Sequence, residues 1–300
     1  MFEDDPATGR PRGPEALAAM LVNLLDVEEI DTDLYRGAKL PGGRGRAFGG
    51  QVVAQALQAA QRSADGKIAH SLHAYFMRAG DDSLPIVYRV VRDFDGKSFA
   101  TRRVIATQRG QPILNMAASF QVEEGGLHHQ NAMPDVPPPE ELKTEAELRA
   151  EVAEQVPERM RANFLRWNSP IDVRPLYPRG WYGAEKREPV NFSWFRAVGS
   201  IGDDPAMHRA VLVYASDMAL MATSMMPHGV AWTTPGMQSA SLDHAVWLHE
   251  PVRADDWLLY ATDSPWAGHA RGMNRGSIFS RDGRLVASVA QEGLIRLRVT

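Results

Sequence analysis

The sequence predicts an α+β protein in which a curved antiparallel sheet wraps around a helix, and does so twice. Three observations carry this prediction. A run of small and apolar residues at helical spacing, 52–61, is followed by four segments of strand character, 69–77, 85–93, 98–108 and 112–122. The same order returns after position 190, with a strand at 190–198, an apolar helix at 210–225 and strands at 238–248, 257–262, 270–280 and 285–296. Local residues also echo between the copies: Ser71-Leu72-His73-Ala74-Tyr75-Phe76 resembles Ser241-Leu242-Asp243-His244-Ala245-Val246-Trp247.

The boundaries come from turn chemistry. Asp95-Gly96 and Arg109-Gly110 punctuate the first copy, and Asp282-Gly283 gives the matching hairpin signal in the second. A helix swallowed by a sheet must be apolar on most faces. Ala210-Val211-Leu212-Val213 meets that demand, whereas Gln51, Gln55, Gln58 and Gln61 predict one polar side on the first helix. A separate helix is expected at 14–25, ahead of the first copy. The chain then divides into an N-terminal domain at 14–133, a linker at 134–189 and a C-terminal domain at 190–300. The linker starts Pro-rich, and its charged stretch 141–165 reads as a surface helix.

Composition narrows the function classes. The net charge is only −4, and no basic stripe appears, so nucleic acid is not expected as a partner. The chain has no cysteine, which excludes disulfides, thiolate nucleophiles and cysteine-based zinc sites. The two neighbouring histidines His128 and His129 lack companions at metal-ligand spacing, and no metal is expected. The most apolar stretch, 210–226, is short for a membrane span and carries Asp217 in its middle, so it reads as a buried helix. The acidic start of the chain lacks the layout of a signal peptide, and a cytoplasmic location is the expectation.

Six stretches carry a family resemblance: Phe48-Gly49-Gly50-Gln51-Val52-Val53-Ala54, His70-Ser71-Leu72-His73-Ala74-Tyr75-Phe76, Gly96-Lys97-Ser98-Phe99, Tyr214-Ala215-Ser216-Asp217, Ser241-Leu242-Asp243-His244 and Val286-Ala287-Ser288-Val289-Ala290-Gln291. Together they resemble the acyl-CoA thioesterase II family. The resemblance implies a double hotdog, two antiparallel sheets each wrapped around a central helix and joined as an intramolecular pseudo-dimer. It implies hydrolysis of fatty acyl-CoA without a cofactor, and a homo-oligomer, dimer or tetramer. It places the family's catalytic aspartate, hydroxyl residue and glutamine on Asp217, Ser241 and Gln291. The first copy has no acid inside its helix, so one complete trio per chain is expected.

The residues themselves say less. A carboxylate inside an apolar helix is costly unless paired or functional, which singles out Asp217 as a base for water. Ser241 and Gln291, taken alone, read as ordinary strand residues. Gly49 and Gly50 at a helix start suit either an oxyanion site or a tight turn into the helix, with Gln51 beside them. His73 and His244 sit at related places as acid–base groups, pocket walls or hydrogen-bonded strand histidines. Arg78, Arg102, Arg103 and Arg271 are candidates for the phosphates of CoA or for surface ion pairs. No Gly-x-Ser-x-Gly elbow occurs at Ser200, because Val198 stands in the first glycine's place. Two rival functions remain at this level: a hotdog enoyl-CoA hydratase or dehydratase, and a non-catalytic acyl-CoA binding protein.

Overall fold

The computed structural model describes residues 11, 13–41, 45–165, 168–177 and 185–298. Helix α1 spans Pro14–Leu25, and a hairpin of β1 (Val27–Asp31) and β2 (Leu34–Gly37) follows it. Helix α2 (Gly49–Arg62) leads into β3 (Ile68–Phe76), β4 (Ile86–Asp95), β5 (Phe99–Gln108) and β6 (Gln111–Gln121). Short helices α3 (Glu145–Val152) and α4 (Glu158–Leu165) fill the connection. The second copy comprises β7 (Ile171–Pro175), β8 (Val190–Ala197), helix α5 (Pro205–Ser216), a 3-10 run at Leu220–His228, β9 (Met237–Ser241), β10 (Asp243–Leu248), β11 (Leu258–Gly268), β12 (Arg271–Ser280) and β13 (Leu285–Leu297).

The strands form one continuous antiparallel sheet in the order β1-β2-β4-β5-β6-β3-β10-β13-β12-β11-β8-β7, with β9 on β13. The order reads the same from either end: β1-β2 corresponds to β7-β8, β4-β5-β6 to β11-β12-β13, and β3 to β10 at the middle. The two copies meet where β3 pairs with β10, Leu72 opposite Val246 and Ala74 opposite His244. Helices α2 and α5 lie together inside the curve, and one buried cluster runs from Leu21 through Val53, Leu57 and Phe120 to Val211, Val213 and Ile278. The double hotdog is therefore two sheets fused edge to edge across a single seam.

Three local expectations change. The glutamines of α2 do not make a polar outer side: Gln51, Gln55 and Gln58 are buried. Gln55 accepts from Tyr88 Oη at 2.7 Å and donates to the carbonyls of Leu24 and Ala38, so its amide ties α2 to α1 and β4. Buried amides are tolerated when satisfied in this way. The charged stretch 141–165 is two helices rather than one. Thr144 caps α3 through a reciprocal bond with Glu147, and Pro157 stops the chain from continuing as one helix. Finally β7, inside the stretch read as irregular linker, pairs with β8 and supplies the edge strand that β1 supplies in the first copy.

Candidate active site

The predicted helix 210–225 stops early, and the stop makes the site. α5 begins at Pro205, capped by Asp204 Oδ1 accepting from Ala206 N–H at 2.9 Å, and ends at Ser216. Ser216 Oγ donates back to the Val213 carbonyl at 2.9 Å, a local bond that competes with helix continuation. Ala219 then adopts a left-handed conformation with φ 66°, which turns the chain into the 3-10 run. Asp217 is therefore the capping residue at the C-terminal end of α5, not a mid-helix residue. A carboxylate there faces the wrong end of the α5 dipole, so other partners must hold it.

Those partners come from β13 and β9. Gln291 Nε2 donates to Asp217 Oδ1 at 2.5 Å, and Ser241 Oγ donates to the same oxygen at 3.3 Å. Gln291 Nε2 also lies 3.3 Å from Ser241 Oγ. The pairing of β9 with β13 sets Ser241 opposite Gly293, two residues beyond Gln291 on the same face. Asp217 is 9% exposed and Gln291 1% exposed. The three residues named by the resemblance thus converge within hydrogen-bonding distance.

A second layer lies behind them. His244 is fully buried, its Nδ1 3.1 Å from Gln291 Nε2 and its Nε2 2.8 Å from Ser216 Oγ. Burial pushes the His244 pKa down, opposed by the nearby Asp217 and Asp243 carboxylates, so the ring is held neutral. Tyr260 Oη donates to the Ser216 carbonyl at 2.9 Å. Asn274, also fully buried, accepts from Ser224 N–H at 2.9 Å and donates toward the Gln291 carbonyl at 3.4 Å, which ties the 3-10 run to β12 and β13. Sequence reasoning missed Ser216 and Asn274. The only signal for either was a polar residue at a position whose neighbours in the pattern are apolar.

The N-terminus of α2 closes the site from the other copy. A Cβ at Gly49 would stand 2.7 Å from Asp217 Oδ2, and a Cβ at Gly50 would stand 2.4 Å from the Tyr214 carbonyl oxygen. Gly49 therefore lets the carboxylate approach the helix, and Gly50 lets α2 and α5 pack. The first-turn N–H groups of Gly49, Gly50 and Gln51 find no acceptor among the described residues. Asp217, Ser241 and Gly49 line a cavity of about 750 Å³. Its other walls are mainly apolar, among them Phe48, Met221, Met225, Met226, Val230 and Trp232, and the exposed Arg46 and Arg187 also line it. No cluster of three or more His, Asp or Glu suited to a metal occurs among the described residues.

Several candidates fall elsewhere. Gln51 is buried and donates to the Ala38 carbonyl at 3.2 Å, away from the cavity lining. His73 is exposed on the opposite face of the sheet from His244, edge-on to Trp247 at 5.0 Å, so the two histidines are not equivalent. Arg102 is a structural residue. It is fully buried, and its five N–H donors go to Ser63 Oγ, the carbonyls of Ser63, Phe94 and Thr101, and Asp95. Arg103 pairs with Asp93, Arg271 pairs with Glu292 beneath Trp266, and Arg78 donates to the Pro112 carbonyl. None of these four arginines lines the cavity. Arg46 and Arg187 do, and no motif around either sets it apart from the other arginines.

The symmetry explains why the trio occurs once. β5 and β12 have equal lengths, and Arg102 is the fourth residue of one as Asn274 is of the other. Arg102 faces Ala118 across the ladder, and Asn274 faces Gln291. The place of Gln291 is thus taken by an alanine in the first copy, and a buried arginine fills the space beside it.

A hotdog pair with an aspartate, a hydroxyl and a glutamine at an apolar cavity is the arrangement of a hydrolytic or acyl-binding member of this fold. Comparison with known proteins narrows it. A model of the acyl-CoA thioesterase N-terminal domain matches residues 39–121, and an acyl-CoA thioesterase model matches residues 163–294. Human acyl-coenzyme A thioesterase 8 is 40% identical over 299 residues, covering 97% of this chain and 92% of that protein. Acyl-CoA thioesterase 2 of Haemophilus influenzae is 39% identical over 92% of this chain and 96% of its own. The crystal structure of an acyl-CoA thioesterase II from Mycobacterium marinum superposes with a TM-score of 0.74 at 38% identity, over 93% of this chain and 97% of that one. The chain belongs to the acyl-CoA thioesterase family.

Proposed function

We propose that this protein hydrolyses fatty acyl-CoA thioesters to free fatty acid and CoA, with water as the nucleophile and Asp217 as its base. The observation that carries the reading is the Asp217 carboxylate at the wall of an apolar cavity, with Oδ1 held by Gln291 and Ser241 and Oδ2 turned toward Gly49. Holding one oxygen leaves the other to take a proton. Water gives that proton to Asp217 Oδ2 as its oxygen attacks the thioester carbonyl carbon. The carbonyl oxygen gains the negative charge, and the free N–H groups at the start of α2 stabilise it. Collapse of the tetrahedral intermediate breaks the carbon–sulfur bond. A thiol with a pKa of about 8.5 leaves with little help and recovers the proton from Asp217.

The substrate class follows from the lining. Methionines adapt to chains of different shape, so Met221, Met225 and Met226 suit medium to long acyl groups. Arg46 and Arg187 line the same cavity and replace the four arginines first considered as donors to the CoA phosphates. A hydratase would need a histidine and an acid that both open on the substrate. Here His244 is sealed in the interior and His73 lies on the far face, so hydrolysis is favoured. A binding protein has no use for a carboxylate held this way. The test is thiol release from saturated acyl-CoAs of graded length, with Asp217→Asn run alongside. Turnover by the wild type and a loss of about 10²–10⁴-fold in the variant is expected. Full activity in Asp217→Asn sinks the assignment, and binding without turnover sinks the reaction.

A further inference from the structure

We infer that His244 and Ser216 act as positioning residues: they fix the orientation of the Gln291 side-chain amide, and thereby the charge pattern presented to the reacting groups. The inference rests on the hydrolytic reading above and adds two residues to it. The argument is one of proton counting. Ser216 has a single hydroxyl proton, and it goes to the Val213 carbonyl at 2.9 Å. Ser216 Oγ must then accept from His244 Nε2, 2.8 Å away, which puts the imidazole proton on Nε2. His244 Nδ1 is left as a lone pair.

The same tautomer suits the Gln291 amide as it is placed. Its Nε2 is a donor only and lies 3.1 Å from His244 Nδ1, so Nδ1 must accept. The second proton of that nitrogen goes to Asp217 Oδ1. Both amide protons then go to the two nearest acceptors, with Ser241 Oγ at 3.3 Å the more distant third, and this orientation is the favoured one. Turned over, the amide would set its carbonyl oxygen against the Asp217 carboxylate and against the Nδ1 lone pair, two repulsions that a single long bond from Ser241 Oγ, 3.3 Å away, does not offset. The remaining atom, Gln291 Oε1, is buried and has no partner among the described residues. Gln291 does not itself line the cavity, so it acts on the reacting groups through Asp217 and Ser241, which do. The relay therefore runs from the α5 backbone, through Ser216 and His244, to the amide that holds the base.

A protonated His244 breaks this order, because a proton on Nδ1 would face the amide protons. The charged groups facing the ring are Asp217 at the end of α5 and Asp243 on its own strand, while the Tyr260 hydroxyl approaches Ser216 from β11. Both carboxylates favour the imidazolium, and burial opposes them.

Two isosteric variants separate orientation from packing. In His244→Asn the side-chain carbonyl replaces the Nδ1 acceptor. In His244→Gln the side-chain amide nitrogen replaces the Nε2 donor, and the acceptor toward Gln291 is lost. His244→Asn is expected to keep kcat within about tenfold of the wild type. His244→Gln is expected to fall about 10²-fold with KM nearly unchanged, as befits a group acting on the reacting geometry. Equal losses in the two variants overturn the inference. A second measurement needs no variant to fold beyond peak assignment: 15N-labelled histidine in the wild-type protein should give His244 as the neutral Nε2–H tautomer at neutral pH. An Nδ1–H tautomer or an imidazolium overturns it. Loss of activity in Asp217→Asn together with equal His244 variants would leave the hydrolytic reading standing and remove only the relay.

Discussion

Gly49 and Asp217 are joined by space rather than by a bond: a Cβ on the glycine would come 2.7 Å from the carboxylate Oδ2 and 3.0 Å from the Phe76 ring. The next glycine meets something else, the Tyr214 backbone carbonyl at 2.4 Å. The two substitutions should therefore fail in different ways. Gly49→Ala displaces the base and is expected to lower kcat about 10²-fold with a small change in thermal midpoint. Gly50→Ala forces α2 off α5 and is expected to cost about 1–3 kcal/mol of stability in urea unfolding. Similar stability losses with unchanged kcat for both would show that the site does not depend on the close approach.

The two donors to Asp217 Oδ1 differ in length, 2.5 Å from Gln291 and 3.3 Å from Ser241. Hydrogen bonds to a charged group contribute about 1.5–3 kcal/mol. Gln291→Ala is accordingly expected near the upper end, about a 10²-fold loss in kcat, and Ser241→Ala near the lower end, about tenfold. Steady-state thiol release gives both values. A larger loss in Ser241→Ala than in Gln291→Ala would mean the hydroxyl contacts the reacting atoms directly.

Arg102 is expected to matter for folding and not for substrate. Arg102→Met strands the carbonyls of Ser63 and Phe94 without their donor, and a loss of about 3 kcal/mol follows. Urea unfolding measures that, while KM for acyl-CoA at low temperature should stay at the wild-type value. A raised KM in a fully folded variant would return Arg102 to the binding surface.

Acid should weaken the fold through His244, which is buried, and more weakly through the half-buried His70 and the exposed His249. Burial lowers the folded-state pKa of His244, and also those of His70 and His249. Between that lowered value and the ordinary value of about 6.5, the unfolded chain binds the proton and the folded chain does not. Stability is then full above about pH 6.5 and falls as pH drops through this window. Urea unfolding at several pH values between about 5 and 8 should show this slope, and His244→Asn should flatten it. A slope unchanged in that variant would assign the effect to His70 and His249.

Much of the sheet was legible because its strands alternate and its turns carry glycine. The hairpin of β1 and β2 was not, since Val27–Asp31 is mostly acidic and exposed. The repeat itself predicts that hairpin once β8 is seen ahead of α5. The stretch 210–226 misled by composition: hydropathy alone joins α5 to the 3-10 run, and only the Ser216 back-bond and the left-handed Ala219 separate them. Side-chain direction was the other gap. His73 and His244 look alike along the chain, but one step of strand parity sends them to opposite faces. Arg102 looks like a surface cation, and nothing local reveals that Ser63 waits beneath it.

The seam between β3 and β10 couples residues about 170 positions apart, Ser71 with Trp247 and Tyr75 with Asp243. Contacts so distant along the chain are slow to form, because a long loop must close before they hold. Gly49 and Asp217 stand on opposite sides of this junction. During refolding, each copy can regain its own ladder while the preparation stays inert, and turnover should return only with the last kinetic phase. Expressed as separate polypeptides, neither piece would carry a whole centre, and mixing them would be needed to restore one.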